Sequence, residues 1–231
     1  MALPDISPVS RESTAEIIAR QLRDAIMRGA LPPGTQLGET ELAAQFQVSR
    51  GPLREAMQRL VSEGLLRAER HRGLFVIDLG PADVYDIYST RSAIEREAVI
   101  RVMRGGNREI VAVALDETVR AMAAAADDDD PTALSDADLK FHEALIAASG
   151  SPRLIRMART LLIETRMCLA ELQRTYQAVE ERVGEHNQII QAIRSGDEAL
   201  VLSLLEAHME DAVQRLIPGA SLHAEPGFSA E

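Results

Sequence analysis

The sequence predicts a mainly α protein: an N-terminal winged helix-turn-helix followed by an all-helical antiparallel bundle. Three observations carry this. Two short apolar-periodic helices separated by a three-residue break fall between Glu39 and Gly64. A charged turn flanked by two short apolar runs follows at 65–77. Past Gly80-Pro81 the strand signal ends, and helical periodicity alone continues to 216.

The elements follow in order. Ser13 opens a helix with capping-box spacing to Glu16, and Ile18, Leu22 and Ile26 mark its apolar face until Gly29 ends it. Leu31-Pro-Pro-Gly34 is a turn. ETELAAQF (39–46) is a short helix, Gln47-Val48-Ser49 breaks it, and a second helix runs through Leu53, Ala56, Met57, Leu60 and Val61. Residues 65–68 and 73–77 then read as a hairpin around Glu69–Arg72, the wing. Six helical stretches occupy roughly 82–104, 108–126, 132–149, 152–173, 176–195 and 197–216, punctuated by Gly105-Gly106-Asn107, Asp127–Pro131, Gly150-Ser-Pro152 and Ser195-Gly196. This places one domain at 10–78, a second at 82–216 and a flexible Pro/Gly-rich tail at 217–231.

Composition narrows the class. The 231 residues are 46% hydrophobic and 26% charged, enough to bury a core. Three Tyr, four Phe and no Trp make that core aliphatic and argue against aromatic platforms for single-stranded nucleic acid. The single Cys168 excludes an intrachain disulfide framework and a CxxC motif. No stretch reaches the roughly 20 apolar residues of a membrane span, and MALPDISPVS does not read as a secretion signal, so a soluble cytoplasmic protein without membrane association is expected.

The net charge of −11 taken alone argues against a nucleic-acid partner, but it is unevenly placed. Residues 1–80 hold ten Arg and ten acidic residues; the remainder hold fourteen Arg, Lys140 and 26 acidic residues, which accounts for the whole excess. Between 45 and 75, six Arg face three Glu. The second helix of a helix-turn-helix presents its N-terminal residues to base edges in the major groove. Here that end reads Ser49-Arg50-Gly51-Pro52-Leu53-Arg54, with Arg50 and Arg54 four apart on one face. Their forked guanidiniums suit guanine O6/N7 or phosphate. The competing reading pairs Arg54 with a neighbouring Glu and leaves Arg50 solvated.

VSRGPLREAMQRLVSEGLLRAERHRGLFV (48–76), preceded by LPPGTQLGETELAAQF (31–46), resembles the winged helix of the GntR family of bacterial transcription factors. The resemblance implies contacts to double-stranded operator DNA from Ser49, Arg50 and Arg54, and from Arg72 and Gly73 at the wing. Many members carry an Arg early in the first of the two helices, where this chain has Thr40, which retains a hydroxyl for a phosphate but no charge.

Of five histidines, His142, His186 and His208 fall in the bundle, and Asp138 precedes His142 by one helical turn. Three imidazoles and a carboxylate on three helices suit a divalent metal; polar surface or core histidines are the competing reading. DLKFHEALIAASGSPRL (138–154), EHNQIIQAIRSGD (185–197) and His208 resemble the FCD effector domain of the FadR branch of GntR regulators, with six helices as in its VanR-like subgroup. The resemblance implies that Asp138, His142, His186 and His208 hold a divalent ion (zinc, nickel or manganese) at the floor of an effector cavity. It also implies that Arg91, in Arg91-Ser-Ala-Ile-Glu95, meets the carboxylate of a small organic acid. An exposed Arg91–Glu95 ion pair is the alternative. Arg166 is a lesser effector candidate, Asp127–Asp130 reads as a solvated loop, and Cys168 reads as core packing.

Three functions compete on these residues: an effector-responsive regulator, a metal-dependent hydrolase, and a sensor of the metal itself. There is no nucleophile motif, Gly-rich phosphate loop or HExxH helix, and Glu143, the nearest general base, points about 100° around the helix from His142. The winged helix favours a regulator, and selective DNA binding by so small a module favours a homodimer on a pseudo-palindrome.

Overall fold

The computed structural model describes residues 12–172 and 179–222, and the chain divides between Ile77 and Asp78 into two compact units. The first contains α1 (Thr14–Met27), β1 (Gln36–Leu37), α2 (Glu39–Phe46), α3 (Arg50–Ser62), β2 (Leu66–Glu69) and β3 (Gly73–Val76). The Ser13 hydroxyl accepts from the Glu16 amide while the Glu16 carboxylate accepts from the Ser13 amide, the reciprocal cap that the spacing predicts. α1 packs Ile18 and Leu22 into a core with Leu53, Met57 and Leu60 of α3. Arg23 of α1 donates from Nε and Nη2 to Glu63 at 2.9 and 2.8 Å, fixing the angle of the first helix on the third. Gln47 takes a left-handed conformation, φ 54°, and so ends α2 sharply enough for α3 to start at Arg50.

The sheet is antiparallel in the order β1-β3-β2, with Gln36 opposite Phe75 and Leu66 opposite Val76. The wing hairpin falls within a residue of the expected runs. β1 was not legible, because two residues after a turn have no period to read.

The second unit holds α4 (Pro81–Arg104), α5 (Arg108–Asp127), α6 (Pro131–Ala148), α7 (Pro152–Leu172), α8 (Val179–Ser195) and α9 (Glu198–Leu216), six helices among the described residues. Asp130 and Asp197 cap α6 and α9 by accepting backbone amides, so the last residue of the acidic run at 127–130 has a definite local role. α4 lies against α6, α7 and α9, while α5 lies against α6 and α8. An aliphatic core of Val99, Leu115, Met122, Leu145, Ile190, Ile193, Val201 and Leu205 closes around Phe141 and Tyr88. No helix among the described residues is long and apolar enough to cross a membrane.

The expected tail needs correcting at its start. Ile217, Ala220 and Leu222 pack on the bundle, the Leu222 amide donates to Glu210 at 2.7 Å, and Tyr85 Oη donates to the Leu222 carbonyl. Three apolar side chains spaced through 217–222 provide this anchorage; residues 223–231 lie outside the described ones.

Candidate nucleic-acid interface and metal centre

Thr40, Ser49, Arg50 and Arg54 are all exposed. α2 and α3 bring them together: Arg50 Nη2 donates to Thr40 Oγ1 at 3.4 Å, and Arg54 Nε donates to Glu39 Oε2 at 2.8 Å. Ser49 is the N-cap residue of α3, yet its hydroxyl makes no capping bond and keeps its donor and acceptor for other use. The pairing of Arg54 with a neighbouring Glu therefore does form, at the mouth of the recognition helix. In the wing, Arg72 pairs with Glu69 and stacks on Phe75 at 5.1 Å, while Gly73 supplies a φ of +103° that side-chain-bearing residues rarely adopt. Gln36 of β1 donates to the Arg72 carbonyl, bracing the wing turn. Neither Glu39 nor Gln36 was singled out from sequence.

In the helical unit, Asp138 and His142 on α6, His186 on α8 and His208 on α9 are buried together, and one ligand atom from each lies within 4.8 Å of the others. His142 Nε2 is 3.3 Å from His208 Nε2, and His186 Nε2 is 3.5 Å from Asp138 Oδ1. Each ring is held from behind at Nδ1: His142 by Glu95 Oε2 at 2.7 Å, His186 by the Arg182 carbonyl at 2.8 Å and His208 by Glu185 Oε2 at 2.7 Å. Facing acceptors require each Nδ1 to carry the proton, so all three Nε2 lone pairs point inward. His186 Nε2 is buried with no hydrogen-bond partner. Converging lone pairs beside a carboxylate, out of water, fit a divalent cation better than they fit one another.

The electrostatics agree with that fit. Burial and the charge of Arg91 pull the His142 pKa below its usual value, and burial with His208 pulls His186 well below. Burial opposes the charge on Asp138, but His186, His142 and Arg182 outweigh it and hold the carboxyl well below its usual range. Burial likewise opposes ionised Glu95, yet His142 and Arg91 bring its pKa to about 2. Cys168, pushed up to about 12 mainly by burial, is an inert thiol in the core.

Arg91 does pair with Glu95, Nε to Oε1 at 2.6 Å, but the pair is buried, with side chains 3% and 0% exposed. The exposed reading fails because this face of α4 turns toward α6. Arg91 Nη2 is buried without a hydrogen-bond partner among the described residues, and the Arg91 side chain borders a small cavity shared with Tyr88, Asp138, Arg182, His208 and Arg215. Arg215 Nη2 also lies 3.2 Å from Glu185 Oε1. Two Arg–Glu–His chains, Arg91–Glu95–His142 and Arg215–Glu185–His208, thus connect cavity-lining guanidiniums to the cluster. Arg166 pairs with Asp136 and does not line this cavity. Glu95, Glu185, Arg182 and Arg215 were missed from sequence; Glu95 was visible there only as the i+4 neighbour of Arg91.

A winged helix with exposed arginines at the start of α3, followed by a separate helical unit, is the architecture of a DNA-binding transcription regulator. Residues 14–76 match the family described as bacterial regulatory proteins, gntR family, and residues 86–211 match the FCD domain. The gluconate operon transcriptional repressor of Bacillus licheniformis is 32% identical over 88% of this chain and 85% of its own. A probable D-xylose utilization operon repressor of Paenarthrobacter nicotinovorans is 29% identical over 96% of each. A GntR transcriptional regulator structure from Rhodococcus sp. RHA1 superposes with a TM-score of 0.74 at 26% identity, covering 89% of this chain and 98% of that one. The chain belongs to the GntR family and carries an FCD domain. It is a transcription regulator, as its relatives are, and not an enzyme.

Proposed function

We propose that the protein is a homodimeric repressor whose operator affinity is set by a small carboxylate bound at a divalent metal. Convergence of Asp138 and three Nε2 atoms, each ring locked from behind, is the observation that carries the reading. Asp138, His142, His186 and His208 hold the ion, zinc, nickel or manganese, which supplies positive charge and Lewis acidity to the cavity. Arg91 presents its spare Nη2 to the ligand carboxylate while Nε stays on Glu95. In the DNA-binding unit, Ser49, Arg50 and Arg54 meet operator bases and phosphates, Thr40 meets a phosphate, and Arg72 and Gly73 carry the wing contact. The polarity of regulation follows the relatives named as repressors of the gluconate and D-xylose utilization operons.

Purified without chelators, the protein is expected to carry about one divalent ion per chain by elemental analysis, or to take up added zinc, nickel or manganese; no uptake of any of them overturns the metal site. An effector acts only through different affinities for two conformations, so a coupling of about 1–3 kcal/mol changes operator affinity roughly 5–150-fold. The expected result is that change on saturating with the best carboxylate from a thermal-shift panel, an equal change in carboxylate affinity when operator is bound, and loss of both in Arg91→Lys. Unchanged operator affinity at saturation refutes the regulatory link.

A further inference from the structure

The outward faces of α4 and α7 carry charge that a single chain leaves unpaired. The two helices run antiparallel: Ile94 and Ala98 of α4 pack with Ala158 of α7, while Asp83 and Asp86, at the start of α4, lie close enough to Glu164, further along α7, to act on its carboxyl. Burial first, and then these two carboxylates, push the Glu164 pKa above its usual value. That end of the helix pair is acidic. The opposite end is basic, because α7 begins with Arg153 and Arg156, both exposed. None of these five side chains has an ion-pair partner among the described residues. Arg153, Met157, Thr160 and Glu164 follow one another at intervals of four, three and four residues, the heptad spacing of a seam between packed helices. Within that seam Met157 is 58% exposed.

Thr160 is the centre of the pattern, four residues after Arg156 and four before Glu164. A second copy laid antiparallel about a two-fold axis at that point brings its basic end to the acidic end of the first, and the reciprocal contact forms at the same time. A parallel copy sets arginine against arginine and carboxylate against carboxylate. Resting on the homodimer proposed above, we infer that two copies associate through α7 and the flanking start of α4, with Arg153 and Arg156 of each chain meeting Glu164, Asp83 and Asp86 of the second copy. The charges fix the antiparallel register, and Met157, taken out of water on both sides of the axis, supplies apolar contact. Within one chain, Arg156 and Glu164 are separated by about 12 Å of helix, too far to pair with each other.

Sedimentation equilibrium of the full-length protein over a dilution series tests this. The wild type is expected to dimerise, and Arg156→Glu and Glu164→Arg each to raise the dimer dissociation constant at least about tenfold, since each reversal acts twice across the axis. The double variant, Arg156→Glu with Glu164→Arg, swaps the charges and is expected to recover most of that loss, a rescue that only a contact between chains can give. Thr160→Cys, beside the axis, is expected to yield a disulfide-linked dimer on mild oxidation, whereas Ala121→Cys, exposed on α5, is not; the native Cys168 is buried and stays out of the reaction. This linkage leaves the charges untouched and so decides the matter if a reversal variant fails to fold. Dimers of wild-type strength in both reversals, single losses that the swap does not rescue, linkage at 121 without linkage at 160, or open chains larger than a dimer overturn this interface and leave self-association standing. A wild-type chain that stays monomeric at every concentration, with or without DNA, overturns the homodimer, and the interface with it.

Discussion

Replacing Glu95 with Ala is expected to destabilise the helical unit by about 3–5 kcal/mol and to weaken metal affinity about 10–100-fold. One fully buried carboxylate serves two donors, Arg91 Nε at 2.6 Å and His142 Nδ1 at 2.7 Å. Its removal strands a buried guanidinium with no counter-charge, which costs more than the intact pair contributes. It also frees the His142 ring to rotate or change tautomer. Glu95→Gln separates the two effects: its carbonyl oxygen can accept from one donor, but its NH2 must face the other, so the ring loses its lock while side-chain volume is kept. Denaturant titration followed by helical circular dichroism, with chelator competition for the ion, reads both quantities. Native stability and native affinity in the Ala variant would overturn the structural role. The pH dependence has a definite sign. Glu95 falls from the usual 4.5 to about 2 on folding, so its stabilisation is fully present above 4.5 and is lost as pH drops toward 2.

The place of Glu95 also marks what periodicity can convey. Spacing put Arg91 and Glu95 on one stripe of α4, but it did not say that this stripe faces α6 rather than water. The His142 contact that gives Glu95 its meaning lies 47 residues away. Glu185 is a harder case. It stands next to His186 in sequence, yet it serves His208 on the following helix, a partnership that exists only once α8 and α9 pack. Asp138 and His142 were legible because they are one turn apart on one helix. His186 and His208 joined them as imidazoles on two further helices, one candidate reading among two, and the family resemblance sharpened that grouping. The bundle helices were legible for a different reason: Gly, Pro and Asp punctuate nearly every turn, and Asp130 and Asp197 cap the helices they precede. β1 and the packed segment at 217–222 are too short to show a pattern of their own.

Arg50→Ala and Arg54→Ala are each expected to cost about 1–3 kcal/mol of operator binding, and the double variant about 2–6 kcal/mol, or roughly 30-fold to 10⁴-fold. Both side chains are exposed at the N-terminal end of α3, away from the Leu53, Met57 and Leu60 core, so the melting temperature should barely move. Their route to DNA differs. Arg50 donates to Thr40 at 3.4 Å, whereas Arg54 must leave Glu39, to which it donates at 2.8 Å with more than a third of each side chain in water. An exposed pair of this kind contributes about 0–1 kcal/mol, less than a bidentate base contact, so the proposed contact of Arg54 with DNA is expected to win the competition. It follows that Glu39→Gln should bind DNA modestly tighter, by removing both the competitor and a carboxylate beside the phosphates, whereas Arg54→Ala exposes that carboxylate to them. Band-shift titration on a site selected from a random-sequence DNA pool, repeated across salt concentrations, distinguishes the contacts. A base-reading arginine lowers specific binding and leaves non-specific binding nearly intact, whereas a phosphate-binding one lowers both and flattens the salt slope by about one. Operator affinity retained in the double variant would mean that α3 is not the helix that reads the groove.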